Sequence, residues 1–285
     1  MPPSSEVSRA VPDVRDPAVA GSFYPSDPQE LRTAVRGHLA AAEEARLPLP
    51  EPSPAGGARS HPKAIIAPHA GYQYSGPVAA AAYVLLRPGR DRIRRVALLG
   101  PTHRVPVRGM ALPQSDAFAT PLGTIPLDQA ACDELVALRS VEVLDAAHLF
   151  EHSLEVHLPF LQEVLGKFSI VPLLVGAVTA AEASEVIRLL WGGPESLIVI
   201  SSDLSHFHDY DTAQQLDGET SRAIESLKFG EIAEQGACGR TPIQGLLMEA
   251  SRRGVHARTV DQRNSGDTAG NRQEVVGYGS YVFDE

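Results

Sequence analysis

Four short runs of uninterrupted apolar residues punctuate the chain: Lys63 to Pro68 (KAIIAP), Arg94 to Gly100 (RRVALLG), Phe168 to Val175 (FSIVPLLV) and Leu197 to Ser202 (LIVISS). Their lack of alternation is that of parallel strands covered on both faces. Between them, Val78 to Leu86, Leu127 to Leu138, Glu155 to Leu165 and Ala181 to Trp191 repeat apolar residues at helical spacing. An earlier helix is predicted after Asp27 and Pro28, which suit a cap and a first turn, with Leu31, Val35 and Leu39 on its buried face. The closing Glu274 to Phe283 (EVVGYGSYVF) alternates as a strand at or near a sheet edge does. Strands alternating with helices predict an α/β fold, a single three-layer domain with a mainly parallel central sheet.

Residues 1–14 are rich in Pro and Ser at their start and read as a flexible tail, leaving 15–285 as one domain without repeat or compositional break. Leu47 to Pro62, a run of Pro, Gly, Ala and Ser, reads as a surface loop. With 43% hydrophobic residues in 285, the chain can fill a sizeable core. A formal net charge of −10 argues against a sequence-independent grip on phosphates, so no nucleic acid partner is expected. No stretch approaches the ~18 apolar residues of a membrane span, and the start lacks an apolar secretion segment. The expectation is therefore a cytoplasmic protein with no membrane partner. Cys132 and Cys238 are too few for a disulfide framework.

Three of the four strands run into a polar segment containing histidine. KAIIAP leads to His69, RRVALLG to His103 by way of Pro101 and Thr102, and LIVISS to Asp203 and His206. The carboxyl ends of parallel strands share one crevice, so these groups can converge although distant in sequence. For any single histidine a loop residue bonded to a nearby carbonyl is the commoner reading; three coincidences weigh more than one. Cys238 precedes the apolar helix Ile243 to Met248, with Thr241 placed to cap it and Pro242 in its first turn. Helix-start potential and Arg240 would lower its thiol pKa, and thiolate is both a metal ligand and a nucleophile. Cys132 lies inside an amphipathic helix and carries no expected role. Glu151, His152 and Glu155 fall in EHSLEVH; on a helix Glu151 and Glu155 would share a face, and a charged helix start is the plainer reading. There is no H-E-x-x-H, no G-x-S-x-G, no G-x-x-x-x-G-K-[ST], and no G-x-G-x-x-G after a strand, so no nucleotide cofactor is indicated.

Taken in order, Ala20 to Tyr24 (AGSFY), Ala64 to Gly76 (AIIAPHAGYQYSG), Leu99 to Pro106 (LGPTHRVP), Glu151 to Pro159 (EHSLEVHLP), Ile170 to Gly176 (IVPLLVG), Ser201 to His206 (SSDLSH) and Cys238 to Ile243 (CGRTPI) resemble the Memo family, whose bacterial members are described as protein B of the AmmeMemoRadiSam system. The resemblance implies a Memo-like α/β domain akin to the class III non-haem iron extradiol dioxygenases. It implies metal ligands at His69, His103 and Cys238, with Asp203, His206 and Tyr74 lining the pocket. Phe23 stands where animal members often carry Trp, and with Tyr74 it is the expected substrate contact. Radical SAM and AMMECR1-like proteins are expected partners by family association alone, beside a small molecule or peptide in the pocket.

Two imidazoles and a thiolate leave a metal coordination position open, as a catalytic site requires. Thiolate in place of a carboxylate shifts preference toward copper, zinc or thiolate-bound iron. The leading expectation is a redox metalloprotein holding copper or iron, oxygenase-like, with Asp203 and His206 moving protons. The alternatives are a cysteine- or zinc-dependent hydrolase and a non-enzymatic module that binds a peptide or partner.

Overall fold

The computed structural model describes residues 13–45 and 61–285. Most of the expected tail and of the Leu47 to Pro62 loop lies outside the described residues. Asp13 and Val14, the end of that tail, are already tied down: Val14 pairs with Ala117, and the Asp13 N–H bonds to Asp116.

The strands are β1 (Val14–Arg15), β2 (Ala64–Ala67), β3 (Arg95–Pro101), β4 (Met110–Leu112), β5 (Ala117–Thr120), β6 (Gly123–Pro126), β7 (Val141–Val143), β8 (Ser169–Val175), β9 (Ser196–Ser201), β10 (His206–His208), β11 (His256–Asn264) and β12 (Val275–Asp284). The α-helices are α1 (Pro28–Ala45), α2 (Tyr72–Tyr83), α3 (Gln129–Val136), α4 (Asp145–His148), α5 (Leu158–Val164), α6 (Ala180–Leu190), α7 (Tyr210–Glu225) and α8 (Arg240–Arg253). The main sheet runs β10-β12-β2-β9-β3-β8-β4-β7, with β11 against β12, and β1-β5-β6 form a small separate sheet. All four strands predicted from continuous apolar runs form its parallel centre, β2-β9-β3-β8. Antiparallel pairs flank that centre, so the sheet is parallel where it carries the pocket and mixed outside it.

Continuous hydrophobicity is explained by burial on both faces: Ile65, Ile66, Leu98, Leu99, Ile198 and Ile200 are wholly inaccessible. Each such side chain contributes about 1.5–3 kcal/mol by leaving water. Successive side chains of β12 point to opposite faces. The Ser280 hydroxyl donates to the Val78 carbonyl of α2, whereas the Tyr281 hydroxyl meets Ser221 of α7, which sets those helices on opposite sides. Strand β12 is paired on both sides and nearly all buried, so its alternation of small and large residues reflects packing rather than a wet face.

Local signals account for the helix starts. Asp27 accepts from the Gln29 and Glu30 N–H groups, and Thr179 with Glu182 forms a reciprocal cap on α6. Helix α2 begins at Tyr72, six residues before the predicted Val78, because Gly71 supplies the turn directly after β2. Helix α8 begins at Arg240 with Gly239 as its cap, so Thr241 is not the cap the sequence suggested.

Candidate metal centre

Strand β9 sits between β2 and β3, and the segments leaving all three at their carboxyl ends form the walls of one pocket. His69 follows β2, His103 follows β3, and Asp203 follows β9. A fourth wall comes from residues 151–154. That segment is a turn, not the expected start of a surface helix, and it is stitched to the sheet by serines: Ser153 Oγ donates to the Pro101 carbonyl (2.7 Å), and Ser201 Oγ donates to the Ser153 carbonyl (2.6 Å). The stitching carries His152 into the pocket. One ring nitrogen each from His69, His103 and His152 lies within 4.8 Å of the other two.

The hydrogen bonds select the imidazole tautomers. The one proton of Ser201 Oγ goes to the Ser153 carbonyl, so at 2.6 Å His69 Nδ1 must be the donor to Ser201, and Nε2 keeps its lone pair. His103 Nδ1 faces the Glu151 carboxylate at 3.0 Å, which likewise fixes Nδ1–H and leaves Nε2 to coordinate. His152 Nδ1 stands 3.1 Å from Glu151 Oε1 but out of line for a hydrogen bond, and it is a buried nitrogen with no partner among the described residues. Burial would raise the Glu151 carboxyl, but the hydrogen bond from the His103 side chain, the adjoining His152 ring and the backbone N–H donors outweigh it and hold the group far below the usual carboxylate range. His69 is held well below its usual pKa, first by burial and then by the neighbouring histidines. It is therefore a neutral ring, the state in which imidazole binds metal.

Cys238 approaches from the other side, its Sγ 3.4 Å from His69 Nε2 and 3.2 Å from the Asp203 backbone nitrogen, which donates to it. Glycine at 239 permits this: a Cβ there would meet the Ser201 carbonyl oxygen at 2.6 Å. Cys238 thus borders His69 without joining the three-histidine set. Its thiol pKa is pushed up to about 12, by burial first and the Asp203 charge second, the reverse of the expected lowering. The reason is positional. Arg240 turns away to donate to the Ile232 carbonyl (2.9 Å), and desolvation exceeds what the helix start supplies.

Asp203 is buried, with Oδ1 accepting the His69 backbone N–H at 2.8 Å and Oδ2 3.9 Å from His69 Nε2. Burial raises its carboxyl pKa. His206 donates Nδ1–H to the Leu204 carbonyl at 2.8 Å, and it stands near enough to His69 and Asp203 to act on both electrostatically. The Phe23 ring lies against His152 with centroids 4.7 Å apart. Tyr74, half-buried in the first turn of α2, shares its surroundings with Tyr278, which also senses Asp203. The pocket opens from His69, which is buried, through His152 to His103, which is exposed. Cys132 is a packed helix residue, its thiol likewise raised to about 12 by burial.

Sequence reasoning had not placed His152, Glu151, Ser201 or Tyr278 in the site. The first two stood in a motif that was noticed, but helical geometry was assumed for it. Ser201 opens the SSDLSH motif but sits at the end of a strand, where nothing local assigns it a partner, and Tyr278 sits inside a strand with no local signature.

Comparison with known proteins adds a family. Residues 15–282 match the family model described as Memo-like protein. A MEMO1 family protein of Sulfolobus acidocaldarius is 36% identical over 95% of this chain and 99% of its own. Relatives of the same description in Aquifex aeolicus and Methanobrevibacter smithii are 34% and 32% identical, again over 95% of this chain and 99% of theirs. Among solved structures, an uncharacterized protein of Escherichia coli shares the fold, with a TM-score of 0.51 at 14% identity, covering 77% of this chain and 98% of that one. No helix among the described residues is long and apolar enough to cross a membrane.

Proposed function

The chain belongs to the Memo family, and from that premise we propose that it holds a redox-active copper or iron ion in an open His/His/Cys pocket, serving an oxygenase-like reaction. The observation that carries this reading is the position of His69, whose lone-pair Nε2 adjoins Cys238 Sγ at 3.4 Å and which also belongs to the three-histidine cluster. The donor set fits a transition metal: the imidazoles of His69 and His103 with their far nitrogens anchored, a sulfur, and the unpartnered buried nitrogen of His152. His69, His103 and Cys238 would hold the ion, with His152 beside them. Bound there, copper or iron would supply Lewis acidity and one-electron chemistry.

The rest falls to the chain itself. Ser201 and Glu151 fix ring orientation. Asp203 can exchange a proton at Oδ2, 3.9 Å from His69 Nε2, and His206 can accept one at Nε2 because its Nδ1–H is committed to Leu204. Phe23 supplies an apolar wall against which a substrate can lie, and Tyr74 a phenol on the side of Asp203. The His69–Cys238 distance also has the reach of a thiol–imidazole nucleophile, but a thiol raised to about 12 stays protonated at neutral pH without a metal, so the cysteine hydrolase reading is the weaker one.

Anaerobic purification and metal analysis of His69→Ala, His103→Ala, His152→Ala and Cys238→Ser test the proposal. Copper or iron content is expected to fall at least ~10-fold in the His69, His103 and Cys238 variants and less in His152→Ala. Loss in His152→Ala with retention in Cys238→Ser would replace the ligand set by three histidines. Wild-type metal content in both His69→Ala and Cys238→Ser would refute the site.

A further inference from the structure

Away from the metal pocket, a cleft of about 750 Å³ is walled by Arg32 and Arg36 of α1, by Arg87 and Arg90 from the turn after α2, and by Glu163 near the end of α5. Its charge opposes that of the molecule. Within a chain of net charge −10, four guanidiniums face one lining carboxylate, with Glu43 paired to Arg87 at the rim. The arrangement is organised rather than incidental. Glu163, whose side chain is only 11% exposed, accepts Arg32 Nε on Oε1 (3.1 Å) and Arg36 Nε on Oε2 (2.6 Å), while its backbone carbonyl accepts Arg90 Nη1 (3.1 Å). One residue from a third element therefore aims three arginines brought together from two others.

Both side-chain contacts use Nε. The terminal nitrogens of Arg32 and Arg36 are left without a protein acceptor among the described residues. An arginine pair whose purpose was to neutralise Glu163 would present that forked end to the carboxylate. The neighbouring Gln162 offers no competing acceptor, since its Oε1 takes the Thr120 hydroxyl and its amide donates to the Gly123 carbonyl. What remains is a set of fork-shaped donors around a space of small-molecule size, matched to an anion with several oxygens at successive tetrahedral centres.

We propose that this cleft binds an oligophosphate, free or as the phosphate tail of a nucleotide. Guanidinium forks and phosphate oxygens match bidentately, and a chain of phosphates engages arginines that a single anion cannot reach together.

The test titrates purified full-length protein with inorganic tripolyphosphate, ATP and sulfate, followed by calorimetry and phosphorus NMR at two salt concentrations. Saturable tripolyphosphate binding is expected, at least ~10-fold tighter than sulfate and weakened by added salt. Arg36→Ala with Arg90→Ala should weaken it at least ~10-fold, whereas Arg188→Ala, on a distant helix face, should leave it unchanged. A His69→Ala, His103→Ala double variant should bind as wild type, which separates this cleft from the metal pocket. ATP binding close to tripolyphosphate assigns recognition to the phosphate chain. Wild-type binding by the Arg36→Ala, Arg90→Ala protein, with its thermal unfolding unchanged, would overturn the proposal, as would tripolyphosphate binding no tighter than sulfate.

Discussion

Glu151 and Glu155 stand four residues apart in one motif, both buried, and each accepts four hydrogen bonds, yet they serve different regions. Glu155 receives Arg15 Nη1 and the Ala18 N–H on one oxygen, both at 2.7 Å, and the Val19 N–H (3.0 Å) and Tyr24 hydroxyl (2.6 Å) on the other. Arg15 is itself held by the carbonyls of His148 and Glu151. This is an anchor: a permanent cation and fixed backbone donors bind the first described segment to the domain. Glu151 instead receives the backbone N–H groups of His103, His152 and Ser153 together with His103 Nδ1. No permanent cation among the described residues pairs with its carboxylate. Its charge is met by backbone N–H groups and by one ring, that of His103, whose far nitrogen is left to bind something, and a carboxylate behind an imidazole makes that nitrogen a better ligand. Burial and full satisfaction do not distinguish structural from functional carboxylates. The identity of the partners does.

The largest expected effect lies on the anchor side. Glu155→Ala leaves Arg15 buried without its counter-charge and is expected to cost about 3–5 kcal/mol in urea unfolding, with the Arg15→Ala, Glu155→Ala double variant costing less than the sum of the singles. An unchanged midpoint would mean that the anchor is not one.

Acid should loosen the same side next. His148, whose carbonyl holds Arg15, has its imidazole pKa lowered to about 4, chiefly by burial. The folded pKa lies below the unfolded one, so as pH falls from about 6.5 toward about 4 the unfolded chain takes up a proton that the folded chain refuses, and stability declines. At 1.36 kcal/mol per unit this amounts to about 3 kcal/mol. His148→Asn removes this titration, and its stability profile should be flatter over that window; a profile parallel to wild type contradicts the assignment.

Glu151→Gln tests the pocket side and should be the mildest for the fold. Metal affinity is expected to drop ~10–100-fold while the unfolding free energy changes by less than for Glu155→Ala. Equal destabilisation by the two substitutions would erase the contrast between them.

Much of this was legible before any coordinates. Continuous apolar runs located all four central strands, because strands covered on both faces have no reason to alternate. Strand-end histidines located the pocket, because parallel strands deliver their carboxyl ends to one crevice. The misreadings share a cause. For Glu151 to Leu154, the charged start of a helix was expected, whereas Ser153 and Ser201 hold those residues as a turn and helical structure begins only at Glu155. For Cys238, a helix start and a neighbouring arginine implied a low thiol pKa, but burial and the turn of Arg240 toward Ile232 reverse it. Local pattern reports which groups can interact; it does not report how dry their surroundings are.

Sequence alone determined the α/β layering, the family, and the candidacy of His69, His103, Asp203, His206 and Cys238, since periodicity and motif order are properties of the chain. Only the tertiary structure decided that His152 joins the cluster, that Ser201 and Glu151 select which imidazole nitrogens are free, and that Glu155 is an anchor while Glu151 is not. Those outcomes depend on contacts between residues tens of positions apart or more, and such contacts exist only once the strands have set their loops side by side.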